Sequence, residues 1–198
     1  MFSGIVEEVG VVQRVTEMDG AREFLIGARS VLSDLIPGAS VSIDGACHTA
    51  VTVSEDGFTV QSIGTTLSRT VAVGYAEGTS VNLERSMALG GRLDGHLVQG
   101  HVDGVGELVS LAEEGEYRLL DFRVPEGIVA QTILHGSITF NGVSLTVNAL
   151  RVSDICQVGI IPFTWAHTNL GQLSVGDAVN VEGDMIGKYV RRMLPEAD

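Results

Sequence analysis

The first residues of the chain, Met1–Gly10 (MFSGIVEEVG), return near its middle as Leu97–Gly106 (LVQGHVDGVG). Gly4 recurs as Gly100, Val6 as Val102, Val9 as Val105 and Gly10 as Gly106, and Glu7 is answered by Asp103. Two more matches follow in the same order: Ile43–Ala50 against Phe140–Val147, then Gly78 with Val81–Glu84 against Gly176 with Val179–Glu182. The separation grows by one residue at each step, as single insertions in loops would produce. Ordered self-similarity of this kind implies two copies of one module of roughly 90 residues and a short tail. Gly90–Gly91 and Asp94–Gly95 punctuate the join, so the expected units are 1–90, 91–184 and 185–198.

Within a module the signal is one of strands. Gly10–Val15, Arg22–Ile26, Ser40–Ile43, Ala50–Val53, Phe58–Ser62 and Ser80–Leu83 are β-branched or alternating and bounded by Gly, Asp, Asn or Ser. Only 5% of residues are aromatic while glycine supplies 25 positions, so a core of Val, Ile and Leu between glycine turns is expected. Val31–Leu35 and Pro125–Gln131 read as single helical turns at equivalent places. Six short antiparallel strands close most economically into a small barrel, since closure removes exposed edges. The fold class is therefore all-β: two tandem six-stranded Greek-key barrels. The tail adds one amphipathic helix, in which Ile186, Tyr189, Val190, Met193 and Leu194 form an apolar stripe, Lys188, Arg191 and Arg192 lie opposite, and Pro195 ends the run.

A net charge of −13 argues against a nucleic-acid backbone or an anionic membrane as partner. Cys47 and Cys156, the only cysteines, occupy non-equivalent positions without CxxC spacing, which suggests neither a disulfide framework nor a thiolate metal site. Acids at Glu7 and Glu8 stand where a signal peptide would carry a basic start. A cytoplasmic protein is expected.

Several polar residues break the apolar pattern. His101 stands where the first copy has Ile5, so the module does not require imidazole there. A lone histidine is as often a hydrogen-bonded structural residue. His96, five residues upstream, would face the other side of a strand, which makes the pair poor ligands for one metal. Cys47 with Thr49, and Ser144 with Thr146, alternate so that each pair shares one strand face. The plain alternative is threonine-rich strand propensity behind the Asp44–Gly45 and Asn141–Gly142 turns. Asp184 reads first as the N-cap of the tail helix.

Met1–Val6, the Gly45–Cys47–Thr49 strand, Val81–Arg85, Gly95–Gly104, Gly142–Val147, Ile161–Pro162 with Thr164, and Thr168–Gly171 together resemble the riboflavin synthase family. The resemblance runs in order along essentially the whole chain, and Gly95–Gly104 is its most specific part. It implies a homotrimer of two-barrel subunits, each barrel holding one 6,7-dimethyl-8-ribityllumazine, with no metal and no organic cofactor. Two such molecules dismutate, one giving a four-carbon unit to the other, to yield riboflavin and 5-amino-6-ribitylamino-pyrimidinedione. The site would form between the N-barrel of one subunit and the C-barrel of a neighbour, with the tail helices holding the trimer and lumazine synthase as a further partner. Related flavin-binding proteins of light-emitting bacteria share the fold without the activity, and such a non-catalytic paralogue is the alternative.

By the same resemblance His101 is the proton-transfer residue, flanked by Gly100 and Val102. Ser144, Thr146 and Asp184 match the C-barrel polar cluster, and Cys47 and Thr49 the N-barrel one. Phe2 matches the residue that closes the pocket, with Ser3, Gly4 and Ile5 beside it. Thr66 and Thr164 occupy equivalent ring-contacting positions, and Ile161 and Pro162 would offer backbone groups to the heterocycle. Four positions depart from the pattern: His48 for leucine, Thr65 for an acid, His135 for lysine and Phe163 for a polar residue. Three of the four are expected near the ligand.

Overall fold

The computed structural model describes residues 1–151 and 154–194. In the first half, β1 (Glu8–Met18), β2 (Ala21–Gly27), β3 (Ser40–Ile43), β4 (Ala46–Val53), β5 (Gly57–Ile63) and β6 (Ser80–Arg85) close into a barrel in the order β1-β2-β5-β4-β3-β6. In the second half, β7 (Gly104–Glu114), β8 (Tyr117–Arg123), β9 (Ser137–Phe140), β10 (Val143–Arg151), β11 (Ile155–Ile160) and β12 (Ala178–Gly183) close with the same neighbours. The two-barrel expectation therefore holds.

The cores are equivalent in position but not in composition. Ile26, Ile43 and Phe58 of the first barrel correspond to Phe122, Phe140 and Cys156 of the second, all buried. Phe122 and Phe140 stack with centroids 4.0 Å apart, taking the volume that Phe58 fills in the other copy. Exchanging where the bulk sits while keeping its total preserves packing density. Burial also pushes the Cys156 thiol up to about 12, leaving it an inert core residue.

Among the described residues six short helical segments complete the barrels, and two of them were legible in the sequence. Val31–Ser33 and α2 (Glu126–Val129) fall where single turns are expected. However, α1 (Gly64–Leu67), α3 (Pro162–His167) and the turns Val71–Gly74 and Asn169–Gln172 are too short to display a 3.6-residue period. The tail helix is α4 (Met185–Met193), and Asp184 caps it by accepting from the Ile186 N–H at 2.9 Å. Pro195 lies outside the described residues.

The barrels meet through their hairpin tips. Asp44–Gly45 and Asn141–Gly142 both turn through left-handed backbone, with φ of 47° and 78° in one and 47° and 76° in the other. A Cβ on Gly45 would sit 2.7 Å from the Gly142 nitrogen, so only glycine permits this approach. Around the tips runs a buried polar network. Asp44 accepts from the Asn82 N–H (2.7 Å), Asn169 Nδ2 (2.8 Å) and the Tyr75 hydroxyl (2.6 Å), while its counterpart Asn141 accepts from the Asn180 N–H (2.8 Å).

The segments preceding β1 and β7 cross between barrels. Phe2 and Val98 pair antiparallel, and each crossing segment is gripped by a buried glutamate. Glu84 accepts from the N–H groups of Ser3 and Gly4 and from the Ser3 hydroxyl; Glu182 accepts from the N–H groups of Gln99 and Gly100. Burial raises both carboxyls above the ordinary glutamate range, and the donated hydrogen bonds oppose that rise.

Candidate functional site

The crossing gives each barrel a wall made from the other copy's leading segment. On β4, Ala46, His48 and Ala50 point into the core, while Cys47 and Thr49 point outward. Against that outer face lies the segment that leads into the second barrel. The Cys47 N–H donates to the Gly100 carbonyl at 2.9 Å, and a Cβ on Gly100 would come 2.6 Å from Cys47 Cβ. Thr66 on α1, Cys47, Gly100, His101 and Val102 then line one cavity of about 370 Å³, joined by Thr65 and Arg69.

The second barrel repeats this frame. Ser144 and Thr146 occupy the outer face of β10, and the Ser144 N–H donates to the Gly4 carbonyl at 2.7 Å. A Cβ on Gly4 would come 2.6 Å from Ser144 Cβ. Ile5 follows on the exposed side and Val6 packs against the second core. Thr164 sits on α3 as Thr66 sits on α1, and the carbonyls of both accept from a threonine hydroxyl four residues on, each at 2.8 Å.

The two half-sites share a backbone and differ in side chains. The first offers Cys47 and the exposed imidazole of His101. The second offers Ser144, whose Oγ lies 2.8 Å from His96 Nδ1. Burial lowers the His96 pKa, partly opposed by the charge of Asp184, which favours the uncharged ring. His96 and His101 thus lie in different half-sites. The Ser144–His96 contact was missed, because residues before the first strand of a module carry no periodicity that reveals their direction.

These observations have a counterpart in known proteins. A profile of the lumazine binding domain matches residues 3–86 and again 99–184. Riboflavin synthase of Mycobacterium tuberculosis H37Rv is 40% identical over 200 residues, spanning the whole of both chains. The chain belongs to the riboflavin synthase family. The Bacillus subtilis riboflavin synthase is 36% identical over 198 residues, covering all of this chain and 92% of its own. Among solved structures, LumP complexed with riboflavin matches with a TM-score of 0.86 and 26% identity over 92% of this chain and 99% of its own.

Three residues that the riboflavin synthase pattern brings forward have surroundings of their own in this chain. Phe2 does not line the cavity; it is fully buried beneath Gly100, where a Cβ would come 2.9 Å from its ring. The burial of so large an apolar side chain fixes the crossing segments to each other. The Ile161 carbonyl accepts from the Trp165 N–H at 3.0 Å to start α3, and its second lone pair stays open to a ligand. His48 faces the core, with Nδ1 2.9 Å from the Ala46 carbonyl and Nε2 2.7 Å from Ser62 Oγ. Among the other departures from the family pattern, Thr65 lines the cavity, His135 occupies an exposed left-handed position (φ 62°), and Phe163 stacks on His167 at 4.1 Å.

The position of His48 carries a prediction. His48→Leu should leave riboflavin affinity within about twofold of wild type, since no wall of the cavity changes. Stability should fall by about 1–3 kcal/mol, because the buried Ser62 hydroxyl loses its partner. Denaturant unfolding and fluorescence titration together check both halves.

Proposed function

We propose that the chain is a riboflavin synthase that dismutates two molecules of 6,7-dimethyl-8-ribityllumazine. The observation that carries this reading is the pair of half-sites with one backbone frame and different chemistry. A reaction between two copies of one substrate, in which one loses a proton and the other takes a nucleophile, needs such a pair. The C7 methyl proton of the lumazine is acidic because the anion spreads into the ring, so an imidazole at His101 suffices to remove it. Cys47, Thr49 and Thr66 then hold the ring at that half-site, and Ser144, Thr146 and Thr164 hold the second. All atoms of the two substrates are shared between riboflavin and the pyrimidinedione, so the net reaction calls for no cofactor.

Two riboflavin synthases at 36–40% identity over the full chain favour catalysis over binding alone, since LumP stands at 24–26%. Incubation with the lumazine tests this directly. Substrate absorbance should fall while riboflavin, identified by mass, accumulates over many turnovers. Stoichiometric, unchanged ligand would instead make the protein a binder.

The finer reading is a cytoplasmic homotrimer acting downstream of lumazine synthase, with each complete site formed by an N-barrel of one subunit and a C-barrel of its neighbour. Supporting it, Ile186, Tyr189, Val190 and Met193 of α4 and Leu194 just after it are all more than half exposed. A helix of this length is not stable alone in water, and its apolar stripe calls for a partner. Removing residues from Gly187 onward should leave both barrels folded by circular dichroism, convert the species to monomer in light scattering, and reduce activity. A truncated protein that stays trimeric, or a monomer with full activity, would refute the arrangement.

A further inference from the structure

We infer that His96 is the base that activates Ser144 as a nucleophile, which makes the C-barrel half-site the place where the four-carbon donor is held. The inference rests on the proposed dismutation and divides its labour between the barrels. Three observations carry it. His96 Nδ1 lies 2.8 Å from Ser144 Oγ, within the reach required of a nucleophile and its base. The contact is built in by the backbone: the His96 N–H donates to the Ser3 carbonyl at 3.1 Å, and Gly95 passes so close that a Cβ there would come 3.0 Å from Ser144 Oγ and 2.1 Å from the Ser3 carbonyl. Moreover, the other half-site lacks this device, since among the described residues no imidazole hydrogen-bonds to Cys47.

Ser144 Oγ forms a bond to C7 of the bound lumazine, its proton passes to His96 Nδ1, and the electron pair displaced from C7 is taken into the heterocycle towards the pyrimidinedione oxygens. C7 becomes tetrahedral between oxygen and N8, which prepares the C7–N8 bond for the cleavage that releases the carbon unit. When that unit has been transferred, Ser144 leaves and recovers its proton from the imidazolium, so nothing is consumed. Asp184, whose charge is felt by His96, stabilises the imidazolium while it exists.

The two half-reactions can be read separately. In deuterated water the enzyme-dependent exchange of the C7 methyl protons reports His101, whereas riboflavin formation requires both half-sites. His96→Gln, which keeps a polar side chain but takes no proton, should lower riboflavin formation by about a hundredfold. It should leave methyl exchange and riboflavin affinity within about twofold. Ser144→Ala keeps the backbone N–H that binds Gly4 and should lower riboflavin formation to the same extent while methyl exchange stays within about twofold, and the double variant should be no slower than either single one, as for groups acting as a unit. Wild-type turnover in His96→Gln, parallel loss of exchange and turnover, or additive losses in the double variant would each overturn the assignment. Failure of the proposed activity looks different: the wild-type protein itself would bind lumazine and form no riboflavin, and the dyad would fall with it.

Discussion

His101→Ala should reduce riboflavin formation by at least about a hundredfold, the loss expected when a positioned acid–base group is removed. The residue is well suited to that variant. Its ring is exposed at the cavity, and its position is set by the backbone before it, where Glu182 accepts from the Gly100 N–H at 3.0 Å and Gly100 accepts from the Cys47 N–H at 2.9 Å. None of these bonds involves the imidazole. Removing the ring should therefore leave the barrel, the cavity and riboflavin affinity almost unchanged, so that the deficit appears in kcat rather than KM. Steady-state kinetics beside a fluorescence titration would reveal this split. Near-normal turnover would remove His101 from the mechanism, and a matching loss of affinity would recast it as a binding residue.

Asp44→Asn should stabilise the protein, increasingly so as pH rises. Burial pushes the Asp44 carboxyl from 3.8 up to about 7, only partly offset by hydrogen bonds from Tyr75, Asn82 and Asn169. The folded protein then binds a proton more tightly than the unfolded chain, so this group contributes no penalty below about pH 3.8. Its penalty grows as pH rises towards 7 and is complete above that. At about 1.4 kcal/mol per pK unit the full penalty is bounded near 4 kcal/mol. Asparagine fits the site, because Asn141 occupies the equivalent place with the same φ of 47° and accepts the equivalent backbone N–H. The Tyr75 hydroxyl, which now donates to Asp44, would accept from the new amide instead. Denaturant unfolding at about pH 5 and about pH 8.5 should show the variant's advantage widening with pH. An advantage that does not change with pH would mean that the Asp44 carboxyl is ionised at little cost.

How much was readable beforehand depended on the kind of order involved. Alternation and turn residues are local, and they located the six strands of each module, the Asp44–Gly45 and Asn141–Gly142 tips and the α4 helix. The duplication added a long-range constraint by pairing Cys47 with Ser144 and Thr66 with Thr164. What stayed hidden was non-local and lacked periodicity. Val81–Glu84 and Val179–Glu182 were aligned as repeats, yet nothing in them indicated that Glu84 and Glu182 grip the crossing segments. The crossing itself places Gly100 on Cys47 and Gly4 on Ser144. It follows from which segments touch rather than from any residue's preference, and without it His96 has no assignable partner. His48 showed in the sequence only as a departure from the family's leucine, because its partner Ser62 lies fourteen residues away on another strand.

Two molecules of the same substrate react in the proposed dismutation, one at each kind of half-site. Supplying the enzyme with an equal mixture of unlabelled lumazine and lumazine carrying carbon-13 in both methyl groups tests it most directly. Dismutation predicts riboflavin in unlabelled, half-labelled and fully labelled forms, the half-labelled most abundant, with an unlabelled pyrimidinedione formed in equal amount. Riboflavin carrying label from only one lumazine, or no riboflavin at all, would contradict it.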